Sequence, residues 1–306
     1  MLNKINFGVV GLGHLGNFHV EQAQKIQTFN IVGVYDIDSK IAANISKKYS
    51  VNCFKSVEEL CVGCDAISVV CSTGAHFKTA MIALKMGCHV FIEKPITSTV
   101  NQGKQLIAYA NNNKLKIQVG HIERFNPAFV SYLKTKPKPL FIESHRLSPF
   151  NVRGSDVAVV LDLMIHDIDL VLSLIKSEIV DIQASGASVV SNFIDLANAR
   201  LAFRCGTTVN LTASRISTKQ MREMRVFEKL RYTKINFHTS LVIQNTIKNK
   251  KTIEKNLKIK KDNALFLELQ SFARSIINKS KTVVSGEDGL NALRVATKIQ
   301  NIIENR

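Results

Sequence analysis

The stretch Ile5-Asn6-Phe7-Gly8-Val9-Val10-Gly11-Leu12-Gly13-His14-Leu15-Gly16 decides the fold. Its first half is short, apolar and β-branched, as a strand buried on both faces of a parallel sheet must be. The glycine-rich half passes into helical spacing from about Leu15 to Ile26. A second buried strand, Ile31-Val32-Gly33-Val34-Tyr35, then ends at Asp36, about twenty residues beyond Gly16. Strand, glycine loop, helix, strand and terminal acid make a complete βαβ fingerprint rather than a lone glycine motif.

Each part has a physical task. Gly11 permits the tight turn, Gly13 lets the backbone approach a pyrophosphate, and Gly16 lets helix and strand pack closely. Free amides at the helix start, at His14 and Leu15, then face phosphate oxygens. Asp36 can accept hydrogen bonds from ribose hydroxyls, whereas a 2′-phosphate would meet a like charge and no obvious arginine, so NAD is expected over NADP.

Working outward, the unit repeats. Ser56 starts a short helix as N-cap, with Glu59 closing a capping box. Residues 66–71 form another buried strand that ends in Ser72-Thr73-Gly74-Ala75-His76 before a helix, and His89-Val90-Phe91-Ile92 breaks at Glu93-Lys94-Pro95. Alternating strands and helices of this length mean an α/β fold, an N-terminal Rossmann doubly wound parallel sheet whose ligands bind beyond the carboxyl ends of its strands. The loops at Gly11, Ser72 and Glu93 meet there. This domain is expected over residues 1–121. Residues 122–306 read as a C-terminal α+β substrate-binding and oligomerisation domain with a mostly antiparallel open sheet, strands at 140–146, 179–190, 194–203, 207–214, 221–228, 230–237 and 241–247, and helices at 157–175, 263–278 and 287–304.

Composition narrows the function classes. The chain has 306 residues, 45% of them hydrophobic, enough for two domains with ample core. With no signal peptide or membrane-length apolar run, a cytoplasmic enzyme is expected. The six cysteines offer one close pair, Cys61 and Cys64, without the second pair or histidines of a zinc site, so they read as reduced thiols and no metal is expected. The net charge of +17 comes from scattered lysines, densest between Lys248 and Lys261, where a solvated face or a protected sheet edge accounts for them and no nucleic acid is implied.

The chemistry-bearing residues lie at two places. Asp162 and His166 stand at i, i+4 spacing on one helix face amid apolar neighbours, where an acid and a histidine either satisfy one another or serve a reaction. Lys94 follows a buried strand at the edge where a nicotinamide should lie, and Pro95 stiffens the backbone after it.

These features together resemble the glucose-fructose oxidoreductase/inositol dehydrogenase (Gfo/Idh/MocA) family: the nucleotide fingerprint, Ser72 to His76, Glu93-Lys94-Pro95, the Asp162/His166 pair, and Ser285-Gly286-Glu287-Asp288-Gly289 before the last helix. The resemblance implies an NAD(P)-dependent oxidoreductase with Lys94, Asp162 and His166 as catalytic residues. Cofactor contacts are expected from Gly11, Gly13, His14, Leu15, Gly16, Asp36, Ser72, Thr73, His76, Glu93 and Lys94. It implies that a sugar hydroxyl loses its proton to His166, or to Lys94, while hydride passes to the nicotinamide. Residues 120–127, 145–154 and 161–170 look most like the UDP-N-acetylglucosamine 3-dehydrogenases of that family. A nucleotide-sugar substrate, a downstream pathway aminotransferase on the way to lipid A, and a homodimer or homotetramer built through the C-terminal sheet are implied. Lys94, Arg124, Arg146, Arg153 and His166 are the substrate-binding candidates, with Arg146 and Arg153 as diphosphate clamps. The family's glycine-rich approach to the aspartate is replaced here by Asp156-Val157-Ala158-Val159-Val160-Leu161, which bears on the substrate loop. The alternatives are a dehydrogenase or reductase of another sugar, polyol or biliverdin-like substrate, and a non-catalytic NAD-sensing protein.

Overall fold

In the computed structural model, β1 (Ile5–Val10) runs into α1 (His14–Gln24), and β2 (Phe29–Tyr35) returns parallel to β1. Residues 4–151 and 157–305 are described. Next come α2 (Ser39–Tyr49), β3 (Asn52–Cys53), α3 (Val57–Val62), β4 (Ala66–Val69), α4 (Thr73–Lys85), β5 (His89–Glu93), α5 (Val100–Asn112) and β6 (Ile117–Gly120). The six strands pair in the order β3-β2-β1-β4-β5-β6, all parallel. The direction of winding reverses between β1 and β4, which opens a crevice at the carboxyl ends of those two strands.

Local chemistry starts several of the helices. Asp38 caps α2 by accepting from the Lys40 and Ile41 amides, and Ser56 caps α3 by accepting from Glu59 N–H at 3.1 Å. Glu59 reaches back to the Lys55 amide at 3.0 Å, one residue earlier than a standard capping box. Phe7 and Phe29 stack at 4.2 Å between β1 and β2, so the glycine loop leaves a strand whose apolar side chains are fixed.

The second unit begins after a 3-10 turn, Ile122–Phe125, with α6 (Pro127–Leu133) and β7 (Phe141–Leu147). A π-helical turn, Val160–Met164, leads into α7 (Ile165–Leu174). The chain continues through β8 (Ile179–Ala187), β9 (Leu196–Phe203), β10 (Thr208–Ser214), β11 (Met221–Glu228), β12 (Arg231–Asn236), β13 (Leu241–Lys248) and β14 (Lys251–Asn256). The eight-stranded sheet has the order β14-β13-β12-β11-β7-β10-β9-β8, antiparallel except for the parallel β7/β10 pair. Along β7, Ile142, Ser144 and Arg146 are buried and the residues between them are partly exposed, the alternation of a sheet with one covered face.

Two strand readings change. The strand expected to reach Val190 stops at Ala187, because Asp195 accepts the amides of Val189, Val190 and Ser191 and turns the chain. The lysine-rich run hides β14, whose six residues are all exposed at the sheet edge, where lysines discourage pairing with another chain.

α8 (Ala264–Ile277) and α9 (Gly286–Glu304) close the chain. Division into two compact units gives Asn263–Leu290 to the unit of the parallel sheet, and Glu123–Asp262 with the residues from Asn291 onward to the other. The segment read with the C-terminal domain thus packs with the first unit: Leu269, Phe272 and Ala273 of α8 join Phe7, Val20 and Phe91 in one core. A fully buried phenylalanine such as Phe272 contributes about 1.5–3 kcal/mol, enough to decide where an amphipathic helix docks.

Candidate functional site

At the carboxyl end of β1 the backbone turns through Gly11 with φ +87, a conformation that favours glycine, and a Cβ there would strike the Cys71 backbone nitrogen. A Cβ on Gly16 would strike the Gly11 carbonyl oxygen. Gly13 is the opposite case: no heavy atom lies within 4 Å of where its Cβ would stand. It borders a cavity of about 720 Å³ lined also by Gly11, His14, Leu15, Asp36 and Ser72. α1 starts at Gly13 with no side-chain cap and no acid in its first turn, so the positive helix end is left for an anion. An unfilled cradle at Gly13, an uncompensated helix start and an acid across the cavity fit a dinucleotide. Asp36 accepts the Leu12 amide at 2.6 Å and the Asp38 amide at 2.9 Å, which aims the carboxylate while its remaining lone pairs can accept hydroxyls.

Ser72 and Thr73 open α4, and Ser72 lines the same cavity. His76 is only 1% exposed and is not among the lining residues; its ring nitrogens lie 2.8 Å from the Pro95 carbonyl and 3.1 Å from the Cys71 carbonyl. Burial pushes its pKa down, against the two carbonyls that favour the protonated ring. Glu93 likewise turns inward, 3.1 Å from His19 Nε2 and 3.2 Å from the Lys94 amide. The side chains of His76 and Glu93, expected at the cofactor, thus face inward and hold the loops around the cavity from behind. Lys94 follows directly, half-buried, before a cis bond to Pro95. Gly16 and Thr73 contribute through the backbone turn and helix start they make.

In the second unit, Asp162 lies in the π turn and His166 in the first turn of α7, both partly exposed, while Val160, Met164, Ile165 and Ile168 are in the core. A π turn adds a residue to the helical circuit, a device that re-aims side chains and is frequent at functional sites. The expected uniform helix over 157–175 is thus interrupted between the two residues of interest.

The arginine expectation is corrected. Arg146 is 3% exposed; its Nε and Nη2 donate to Asp167 at 2.9 and 3.0 Å, and its Nη1 donates to Glu123 at 2.9 Å. Burial alone would lower its pKa, but the carboxylates of Asp167 and Glu123 outweigh that and keep it charged. Arg124 makes a bidentate pair with Asp169 at 2.6 and 2.7 Å. Both guanidiniums are engaged in holding α7, the helix that carries His166: Arg146, expected as a diphosphate clamp, and Arg124, expected at the substrate, face carboxylates instead. Arg153 lies outside the described residues.

Sequence reasoning missed His19 and Ser68, which are 2.9 Å apart and buried, and the acids Glu123, Asp167 and Asp169. His19 stands one turn beyond Gly16, on the face that also buries Val20 and Ala23, so helical spacing marks it as inward-facing. No spacing identifies its partner Glu93, 74 residues away.

Known proteins bear on this geometry directly. Residues 5–121 match an oxidoreductase family with an NAD-binding Rossmann fold, and residues 134–229 match the GFO/IDH/MocA C-terminal domain. UDP-N-acetylglucosamine 3-dehydrogenase of Acidithiobacillus ferrooxidans is 33% identical over 97% of this chain and 96% of its own. A solved structure of that enzyme superposes with a TM-score of 0.94, covering 99% of this chain and 98% of the other. The NAD(+)-dependent scyllo-inositol 2-dehydrogenase of Bacillus subtilis is 24% identical over 100% of this chain and 96% of its own. With a nucleotide-binding cavity in the expected place and family matches in both parts of the sequence, the chain belongs to the Gfo/Idh/MocA family of NAD-binding oxidoreductases.

Proposed function

We propose that this chain oxidises the 3-hydroxyl of UDP-N-acetylglucosamine with NAD. The observation that carries the reading is the 33% identity, sustained over 97% of the chain, to an enzyme of that name. NAD, held in this cavity, would supply the acceptor for the hydride of the sugar carbon. The chain's own residues do the rest. Gly13 and the first turn of α1 hold the pyrophosphate, and Asp36 takes the ribose hydroxyls. Lys94 holds the reacting oxygen, and the hydroxyl proton leaves to His166 or to Lys94 itself, with Asp162 orienting the histidine and balancing its charge. Arg153 is assigned to the diphosphate.

A 3-keto product is a ketone that an aminotransferase can accept, and on this reading the reaction runs in the cytoplasm ahead of a transamination that supplies an amino sugar for lipid A. On the sheet, Phe141, Phe227 and Tyr232 form a ring cluster at 5.9 and 5.0 Å, with Phe227 36% exposed. Such a patch supports pairing of two copies through the sheet into a dimer or tetramer. Light scattering on purified protein tests this, and a monomer overturns it.

The test of function follows NADH absorbance on mixing protein and NAD with UDP-N-acetylglucosamine, free N-acetylglucosamine or inositol, with glutamate and an aminotransferase present to draw off an unfavourable ketone. Turnover of the nucleotide sugar alone, abolished by Lys94→Ala, is expected. Turnover of a free sugar instead moves the substrate to that class, and tight NADH binding without turnover of any of the three overturns the substrate reading. Comparing the pH profiles of His166→Ala and Lys94→Ala tells which group takes the proton.

A further inference from the structure

The glycine loop does not use the buried histidine of α1. His19 is 1% exposed and its ring is fixed on three sides. Nδ1 lies 2.9 Å from Ser68 Oγ on β4, Nε2 lies 3.1 Å from Glu93 Oε1 at the end of β5, and the ring meets Phe91 edge-on at 5.4 Å. A carboxylate only accepts, so Nε2 must be the donor whatever the total charge of the ring, and Ser68 serves Nδ1.

Glu93 is held just as firmly. Its Oε2 accepts the Lys94 backbone N–H at 3.2 Å, and a Cβ on Gly120 would come within 2.8 Å of the carboxyl carbon and both oxygens, so β6 closes the remaining side. Burial would push the Glu93 pKa up; the hydrogen bond and charge of His19, with Lys94, outweigh it and hold the pKa below the usual carboxylate range. A relay therefore runs from Ser68 through His19 and Glu93 to the backbone of Lys94, entirely within one compact unit.

We propose that His19 is a positioning residue for Lys94: it pins the Glu93 carboxylate against the Lys94 backbone and so fixes where the lysine stands. This rests on Lys94 being the reacting lysine. A residue that merely filled the space between α1, β4 and β5 would affect stability and leave the chemistry alone.

The experiment measures kcat with UDP-N-acetylglucosamine and NAD, NADH affinity by fluorescence, and Tm, for His19→Leu, His19→Gln, Ser68→Ala, Glu93→Gln, the His19→Leu/Glu93→Gln double variant, and Lys94→Ala. Removing the donor to a charged, buried acceptor in His19→Leu is expected to lower kcat about tenfold or more, with NADH affinity within about threefold. His19→Gln keeps a side-chain N–H in reach of Glu93 and is expected to recover most of the rate; Ser68→Ala falls between. The double variant is expected to lose no more than the worse single one, because both changes break the same relay. Losses that multiply, or a Gln variant as slow as Leu at equal Tm, overturn the inference. Should His19→Leu fail to fold, the Gln, Ser68 and Glu93 variants carry the same comparison. Full activity of Lys94→Ala sinks the catalytic reading of the lysine itself, whereas an inactive Lys94→Ala beside a fully active His19→Leu sinks only the role of His19.

Discussion

Two charged arrangements in this protein are built on opposite principles. The glycine loop and Asp36 present charge to a cavity: helix amides and a partly exposed carboxylate, 24 residues apart but at a spacing that the strand-helix-strand geometry fixes. Arg146 with Asp167 and Glu123 conceals charge: three ionised groups, each under a tenth exposed, drawn from positions 21 and 23 apart. One arrangement is poised for a partner that is not protein, and the other has satisfied itself. Arginine near an expected substrate region is thus poor evidence of anion binding until its carboxylate neighbours are known.

The sharpest way to break this contrast is Arg146→Ala. It leaves Asp167 and Glu123 buried without their cation, a change that costs about 3–5 kcal/mol. Denaturant unfolding should show that loss. A substrate clamp would behave otherwise, with KM rising and stability intact, and that outcome would reverse the assignment. Arg124→Ala strands Asp169, itself 1% exposed, and is expected to act the same way.

The difference between the arrangements also explains what could be read from sequence. Gly11, Gly13, Gly16 and Asp36 announce themselves because each is required by backbone geometry at a fixed spacing. Arg124 and Arg146 misled because no motif fixes the spacing to their partners, Asp169 for the one and Asp167 with Glu123 for the other, and residue type says nothing about which acid will face them. Asp162 and His166 were visible as a pair, but the π turn between them depends on packing. β14 was obscured because an edge strand that resists pairing is written in lysines, the same letters as a solvated loop. His76 and Glu93 lay in motif positions, and only burial showed them facing inward.

Within the loop, two glycines separate structure from ligand. Gly16→Ala drives a methyl into the Gly11 carbonyl, so despite the gain of about 1 kcal/mol in helix propensity a net cost of about 1–3 kcal/mol is expected in thermal unfolding. Gly13→Ala meets nothing within 4 Å, so stability should stay within about 0.5 kcal/mol of the parent. NADH affinity should nevertheless fall about tenfold, since the methyl occupies the place of closest approach to a phosphate and weakens its charged hydrogen bonds. Equal NADH affinity in Gly13→Ala would show that the cavity is not the phosphate seat. Asp36→Ala acts on selectivity: the ratio of NADH to NADPH affinity is expected to drop about tenfold as the hydroxyl acceptor and the repulsion of a 2′-phosphate disappear together.

The smallest effect separates the two arrangements by pH. Burial holds the His76 pKa below the 6.5 of an ordinary imidazole, so the folded state binds its proton less readily than the unfolded chain does. A depressed folded pKa gives stability that is complete above the unfolded value and is lost as pH falls below it. His89, depressed for the same reason, adds in the same direction, and Glu93 adds to it only nearer 4.5. Arg146 stays charged throughout that range. Between pH 7 and 5.5, amide exchange in the α4 N-terminus and around Pro95 should therefore quicken, beyond the intrinsic pH dependence of exchange, more than in α7. His76→Gln should remove part of that difference while keeping a side-chain donor for one carbonyl. Equal pH sensitivity in α7, measured in a His166→Ala background so that the helix carries no histidine, would mean that the buried ion pairs are as open to protons as the loops around the cavity, and the contrast between presented and concealed charge would fail.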